Sequence, residues 1–195
     1  MINAAWVSEI LPYVRQVSAS TGVYPSVLLA LAAEETGYGA SALAAQNNLS
    51  GIRYVGQAGA RKVAGGFAAY PSLSAWATDM TRVLDLSYYS AVRSASTPQA
   101  QIAALAESPY NGASAAARKA WGTLLEEVRT EQGYAMYDTG SASASSGSAS
   151  STWSPSVTHS ESTVTVDLAG APTGTTAQTL AVLAAVAVAL VVVSL

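Results

Sequence analysis

Residues 25–41 read PSVLLALAAEETGYGAS, and this stretch decides the fold. Pro25 suits the first position of a helix, where its missing N–H would have no partner anyway. From Ser26 the run is almost wholly apolar until Glu34 and Glu35, so it is predicted to form a central, buried helix. Gly37 and Gly39 stop it. Upstream, Ile10, Leu11, Val14 and Val17 recur at helical spacing, which predicts a first amphipathic helix. Ser8 is its expected cap, with Pro12 near the first turn. Downstream, Ile52–Gly56 and Arg61–Phe67 read as two short strands around a Gly-rich turn. Helical patterns return over roughly 72–86, 97–107 and 113–130. The expected domain is mainly α (α+β), a helical body with a small two-stranded β lobe over residues 1–137.

Composition points to a second, different part of the chain. Of 195 residues 50% are hydrophobic and only 11% charged, less than half of the roughly 25% usual for a soluble domain. Nine Lys+Arg face twelve Asp+Glu, which argues against nucleic-acid binding through a basic surface. The absence of cysteine excludes a disulfide framework and a thiol nucleophile, and a single His argues against a His-based metal site. Neither a metal nor a cofactor is expected.

The basic residues all lie between Arg15 and Arg129. Beyond them, residues 138–178 are expected to be a flexible linker. Thr139–Thr152 reads TGSASASSGSASST, a run that cannot bury a core. Ser162–Leu168 alternates well enough for one short strand, and His159 is expected to be solvated. Leu180–Leu195 reads LAVLAAVAVALVVVSL. As a helix it would span roughly 24 Å, slightly less than a ~30 Å hydrocarbon core. One transmembrane helix is therefore expected over 179–195, making the lipid membrane a partner through residues 180–195. The first residues, MINAAWVSEILPYVRQ, mix charged with apolar side chains and hold no continuous apolar core of a secretory leader.

The chemistry candidate is Glu34-Glu35. Adjacent helix positions are about 100° apart, so one carboxyl can face a cleft and the other water. A carboxyl against apolar walls has a raised pKa and can hold a proton near neutral pH. Protonating a glycosidic oxygen requires such a group. From residue type alone, two solvated acids at a helix end read the same way.

Three motifs then carry a resemblance. Pro25-Ser26-Val27 followed by Ala33-Glu34-Glu35-Thr36-Gly37-Tyr38-Gly39-Ala40-Ser41 resembles the glucosaminidase family of peptidoglycan hydrolases, glycoside hydrolase family 73. Asn47-Asn48-Leu49-Ser50-Gly51-Ile52-Arg53 is similar to that family's Asn-Leu-Phe-Gly-Ile stretch. Phe67-Ala-Ala-Tyr70-Pro-Ser72 with Asp79 is similar to its Phe-x-x-Tyr-x-Ser segment with a following Asp. The resemblance spans about residues 5–130. It implies a lysozyme-like fold, glycan strands of peptidoglycan as substrate, and Glu35 as general acid. It leaves Glu34 as a structural or solvated neighbour.

Tyr38, Asn48, Arg53, Tyr54, Tyr70 and Tyr110 are the candidates for a glycan groove, since tyrosine offers both a flat apolar face and a hydroxyl. Asp79 is expected to cap or brace the fold. Three departures stand out. Tyr38 replaces the family's usual Trp, Ser50 its usual Phe, and no acid lies between Gly51 and Phe67, where many members place a second carboxylate. One acid can suffice when the substrate's own N-acetyl group attacks the anomeric carbon, or its 6-hydroxyl in a lytic transglycosylase. Hydrolysis, transglycosylation and a non-catalytic wall-binding or virion structural role thus follow as alternatives. The apolar tail implies a single-pass protein anchored at its C-terminus. With no leader expected, the setting implied is the internal membrane of a bacteriophage particle.

Overall fold

The computed structural model describes residues 4–110 and 114–139. The chain divides into one compact unit, Met1–Ser143, and a second, Ala144–Leu195. The expected strand at 162–168 and apolar run at 180–195 lie outside the described residues. Among the described residues no helix is long and apolar enough to cross a membrane.

The first unit is mainly helical. Helix α1 (Ala4–Thr21) is followed by α2 (Pro25–Thr36), and a loop with a small sheet leads to α3 (Leu73–Asp85). The short α4 (Ser90–Ser94), then α5 (Pro98–Glu107) and α6 (Ala115–Glu131) complete the body. Helix α2 lies at the centre, packed by α1 and α6, while α1 also meets α3 and α5 meets α6. Its residues Pro25 to Ala33 are all buried. Each fully buried Leu or Val contributes about 1.5–3 kcal/mol relative to exposure, so an apolar run with no polar face folds only as the axis of such a bundle.

The start of α2 is secured from a distance. Tyr24 gives it no side-chain cap. Instead the Ser26 N–H donates to Asp138 Oδ1 at 2.8 Å and the Ser26 hydroxyl to Asp138 Oδ2 at 2.7 Å. A carboxylate at a helix N-terminus satisfies free N–H groups and complements the helix dipole. Asp138 therefore belongs to the folded unit, which runs past the expected boundary at residue 137.

Two local expectations are corrected. Helix α1 begins at Ala4, so Ser8 is no cap and Pro12 sits inside the helix. Burial of Trp6 and Val7 extends the apolar stripe one turn earlier. Pro12 and Ser8, whose carbonyl loses its helical partner, both lie on the exposed side, open to solvent.

The β lobe also pairs differently. Strand β1 (Arg61–Lys62) runs antiparallel to β2 (Ala68–Ala69), with Arg61 opposite Ala69 and Lys62 opposite Ala68. Gly65 and Gly66 both take positive φ, so the chain reverses inside the stretch expected to be one strand. The other expected strand contributes a single bridge, Arg53 to Phe67. The Ala68 N–H bonds the Ile52 carbonyl there, and the Tyr54 N–H bonds that of Gly66.

Candidate active site

Glu35 stands in the last turn of α2, where the apolar run ends and the helix is about to stop. Its carboxyl is half-buried and lies beside the loop that enters the β lobe. A Cβ added at Gly51 would come 2.7 Å from Glu35 Oε2 and 4.0 Å from the Phe67 ring. Gly51 also has φ +61°, so the loop needs glycine there both for its turn and for its closeness to the acid.

Burial pushes the Glu35 carboxyl up to about 8, and the adjacent Glu34 charge adds to that rise. Among the described residues no side-chain donor reaches it. Glu34 is likewise half-buried rather than turned to water. Burial raises its pKa too, with the nearby Trp121 side chain opposing the rise.

Tyr110 closes the site from beyond α5. Its hydroxyl donates to the Ser50 carbonyl, the residue before Gly51. Its ring stacks on Trp121 of α6 at 5.9 Å and 19°. Burial, followed by the charge of Glu35, pushes the Tyr110 hydroxyl well above its ordinary value. On the lobe side, the exposed Arg53 guanidinium lies 4.2 Å over the Phe67 ring and donates to the Gly65 carbonyl. Tyr54 is half-buried and packs against the core edge.

The six groove candidates therefore separate. Tyr110 lies at Glu35, and Arg53 lies on the Phe67 ring that borders it. Tyr38 points elsewhere, its ring edge-on to Trp6 at 6.5 Å. Asn48 and Tyr70 face inward and brace the lobe. Asn48 is 0% exposed; its amide donates to the carbonyls of Ile52 and Ala68 at 2.9 and 2.8 Å and accepts from the Ile52 N–H at 3.0 Å. The Tyr70 hydroxyl donates to Asp79 at 2.6 Å. The reason is local: β2 and the loop around Ile52 bury their backbone groups, and a buried carbonyl needs a donor.

Asp79 also receives Gln57 Nε2 at 3.1 Å and Arg82 Nε at 2.5 Å. Burial acts to raise its pKa, but the bonds from Arg82, Tyr70 and Gln57 prevail and hold it below the ordinary carboxylate range. Asp79 is thus a brace, as expected from the sequence. The sequence did not single out Gly51, Phe67 and Trp121 as site residues. The first two lie in the quoted motifs, whereas Trp121 carries no local signal and joins the site only through packing of α6 on α2.

Comparison with known families places this geometry. The model of the family described as Glucosaminidase, mannosyl-glycoprotein endo-beta-N-acetylglucosaminidase, matches residues 11–147. The chain belongs to the glucosaminidase family. That stretch contains Glu35, Gly51, Phe67, Tyr110 and Trp121.

Solved structures share the glucosaminidase chain's fold. The peptidoglycan hydrolase from Sphingomonas sp. A1 is 22% identical, with 73% of this chain and 97% of that one covered and a TM-score of 0.55. For the catalytic domain of the autolysin Auto from Listeria monocytogenes the values are 22%, 71%, 88% and 0.53. For a C-terminally truncated glycoside hydrolase domain of FlgJ from Salmonella typhimurium they are 19%, 67%, 97% and 0.51. Comparison with curated protein sequences finds no match.

Proposed function

We propose that this glucosaminidase cleaves the glycan strand of peptidoglycan with Glu35 as its general acid. The observation that carries the reading is the half-buried Glu35 carboxyl at the end of the central helix, set against Gly51 and pushed up to about 8. Such a group keeps its proton at neutral pH and can deliver it to a glycosidic oxygen as the bond breaks. Arg53, Tyr54 and Tyr110 are the groove residues this reading retains. Asn48 and Tyr70 support the lobe beneath, and Tyr38 belongs to the periphery.

No acid occurs in sequence between Gly51 and Phe67, and Asp79 is held by three donors. This favours a single-acid route. The substrate's own N-acetyl oxygen or 6-hydroxyl bonds to the anomeric carbon as the glycosidic bond breaks and the leaving oxygen takes the Glu35 proton; the Glu35 carboxylate then takes a proton back, from the water that opens the N-acetyl adduct or from the 6-hydroxyl that has closed the anhydro ring. Digestion of peptidoglycan by the full chain tests the assignment. Glu35→Gln is expected to lower kcat/KM by roughly 10²–10⁴-fold, and unchanged activity would refute the role of Glu35. Mass spectrometry of the products separates the outcomes. An anhydro-muramic end marks transglycosylation, and a reducing N-acetylglucosamine end marks hydrolysis of the glucosaminidase type.

The same proposal extends to placement. An uncharged Ser/Ala/Gly run at 139–152 and, further on, an apolar segment only slightly shorter than a bilayer core support attachment of the wall-cleaving unit to a lipid membrane through residues 180–195. A membrane-containing bacteriophage particle is the setting put forward, because it joins a bilayer and a wall to be opened in one event. Flotation of the full chain with vesicles, lost on deletion of 180–195, is the expected result.

A further inference from the structure

We propose that Arg53 forms an anion subsite beside Glu35, taking a carboxylate carried on the lactyl arm of a muramic sugar. The inference deepens the reading of this site as one for peptidoglycan, and rests on it.

Charge in the β lobe is one-sided. From Thr36 to Thr78 the chain has no acid, yet Arg53, Arg61 and Lys62 fall within that stretch, and all three are exposed. On the helices Arg82, Arg118 and Arg129 pair with Asp79, Glu107 and Glu126. Among the described residues no such pair involves a lobe cation.

Of the three, Arg53 is the one held in place at the acid. Its guanidinium lies 4.2 Å over the Phe67 ring and gives one N–H to the Gly65 carbonyl. A guanidinium is a rigid fork of five N–H donors that matches a carboxylate. Among the described residues its other donors have no hydrogen-bond partner. The ring beneath it belongs to the site: a Cβ on Gly51 would stand 4.0 Å from Phe67 and 2.7 Å from Glu35 Oε2. A Cβ on Gly65, at φ +72°, would press the same ring at 3.0 Å, so glycine lets the chain turn back over Phe67 and offer its carbonyl. Arg61 is engaged elsewhere, its Nη2 donating to Gln46 Oε1 at 2.5 Å.

The nearby acids do not claim this fork. Asp79 already accepts from Arg82, Tyr70 and Gln57, and Glu35 makes no ion pair with Arg53. The fork thus suits an anion that arrives with the substrate. Of the two sugars that alternate in the glycan strand, only the muramic one has an arm that ends in a carboxyl, and it stands on C3. In glucosaminidase-type cleavage the leaving oxygen is on C4 of that same sugar. Anion and leaving oxygen therefore sit on neighbouring carbons, just as Arg53 and Glu35 border one aromatic ring. Arg53 thereby selects a muramic sugar on the leaving side, and with it the glucosaminidase-type bond.

The test is NMR titration of the full chain with three probes: N-acetylmuramic acid, its neutral lactyl methylamide, and N-acetylmuramoyl-alanyl-glutamate. At least one carboxylate-bearing probe is expected to bind roughly 3–5-fold more tightly than the methylamide and to shift the Arg53 Nε–H resonance. Preference for the free acid assigns the anion to the lactyl group itself, and preference for the peptide-bearing probe assigns it to the stem. Arg53→Gln should abolish the preference, Arg53→Lys should restore part of it, and Arg15→Gln on the exposed side of α1 should leave it intact. Equal binding of all three probes by the unaltered chain overturns the proposal, as does a preference that survives Arg53→Gln or is lost equally in Arg15→Gln. No probe contains a glycosidic bond to be cut, so the result is independent of cleavage. A chain that shows the preference but releases no glycan fragments loses the assignment of Glu35 and keeps the subsite. A chain that cleaves without the preference loses the subsite alone.

Discussion

Glu35 and Asp79 are both helix-borne carboxyls at the edge of the same core, and their surroundings drive them in opposite directions. Asp79 on α3 receives Arg82, Tyr70 and Gln57, and it is held as an anion below the ordinary range. Glu35 on α2 meets Gly51, Phe67 and a second acid, and it is raised to about 8. Burial alone disfavours charge at both sites. What separates them is the supply of donors, so the first site stabilises the fold and the second stores a proton.

The contrast predicts opposite pH dependences of stability. The folded-state pKa of Glu35 lies above its unfolded value of about 4.5, so its contribution is full below that value and is lost as pH rises toward about 8. The Asp79 pKa is lowered on folding, so its contribution holds above the unfolded value and is lost as pH falls through the folded one.

The largest effect should come from removing the stored proton's cost. Glu35→Gln should melt higher than the unaltered chain at pH 8, by roughly 3–4 kcal/mol in unfolding free energy, with the gain vanishing at pH 4. A variant no more stable at pH 8 would mean that Glu35 is not held protonated. The next effect is the converse: Asp79→Ala should lose about 2–3 kcal/mol at neutral pH, read by urea unfolding, because three donors lose their acceptor. Its activity per folded molecule should persist, which would mark the brace as separate from the chemistry. Gly51→Ala sharpens the boundary between the two sites. It should cost about 1–2 kcal/mol for the left-handed backbone. The new methyl would also crowd Glu35 Oε2, so kcat should fall more than the lost stability explains.

The helical body was legible in the sequence because its signals are local. An apolar run opened by Pro25 and closed by glycines can only be a buried helix, and α3, α5 and α6 fall close to their expected spans. Pro12 falls inside α1 rather than near its first turn because burial of Trp6 and Val7 carries the helix further toward the N-terminus than local propensity indicates. The β lobe leaves a weak signal in the sequence because its strands are only two residues long and its reversal lies in Gly65-Gly66. In the site, Glu35 was visible as an acid ending an apolar run. Whether a tyrosine or asparagine faces a groove or the interior depends on contacts between segments distant in sequence. Asn48 serves Ala68, twenty positions away, and Tyr70 serves Asp79. Trp121 reaches the site across the whole bundle, and no spacing rule in α6 marks it.

The clasp of Ser26 by Asp138 has a mechanical meaning. Any load transmitted along the chain beyond Thr139 enters the folded unit at Asp138, and so at the N-terminal end of α2. Glu35 lies at the other end of this twelve-residue helix, about 15 Å along its axis. The rod between them is held in the core from Pro25 to Ala33. A displacement at Asp138 is thus spread into the bundle before it reaches the loop around Gly51.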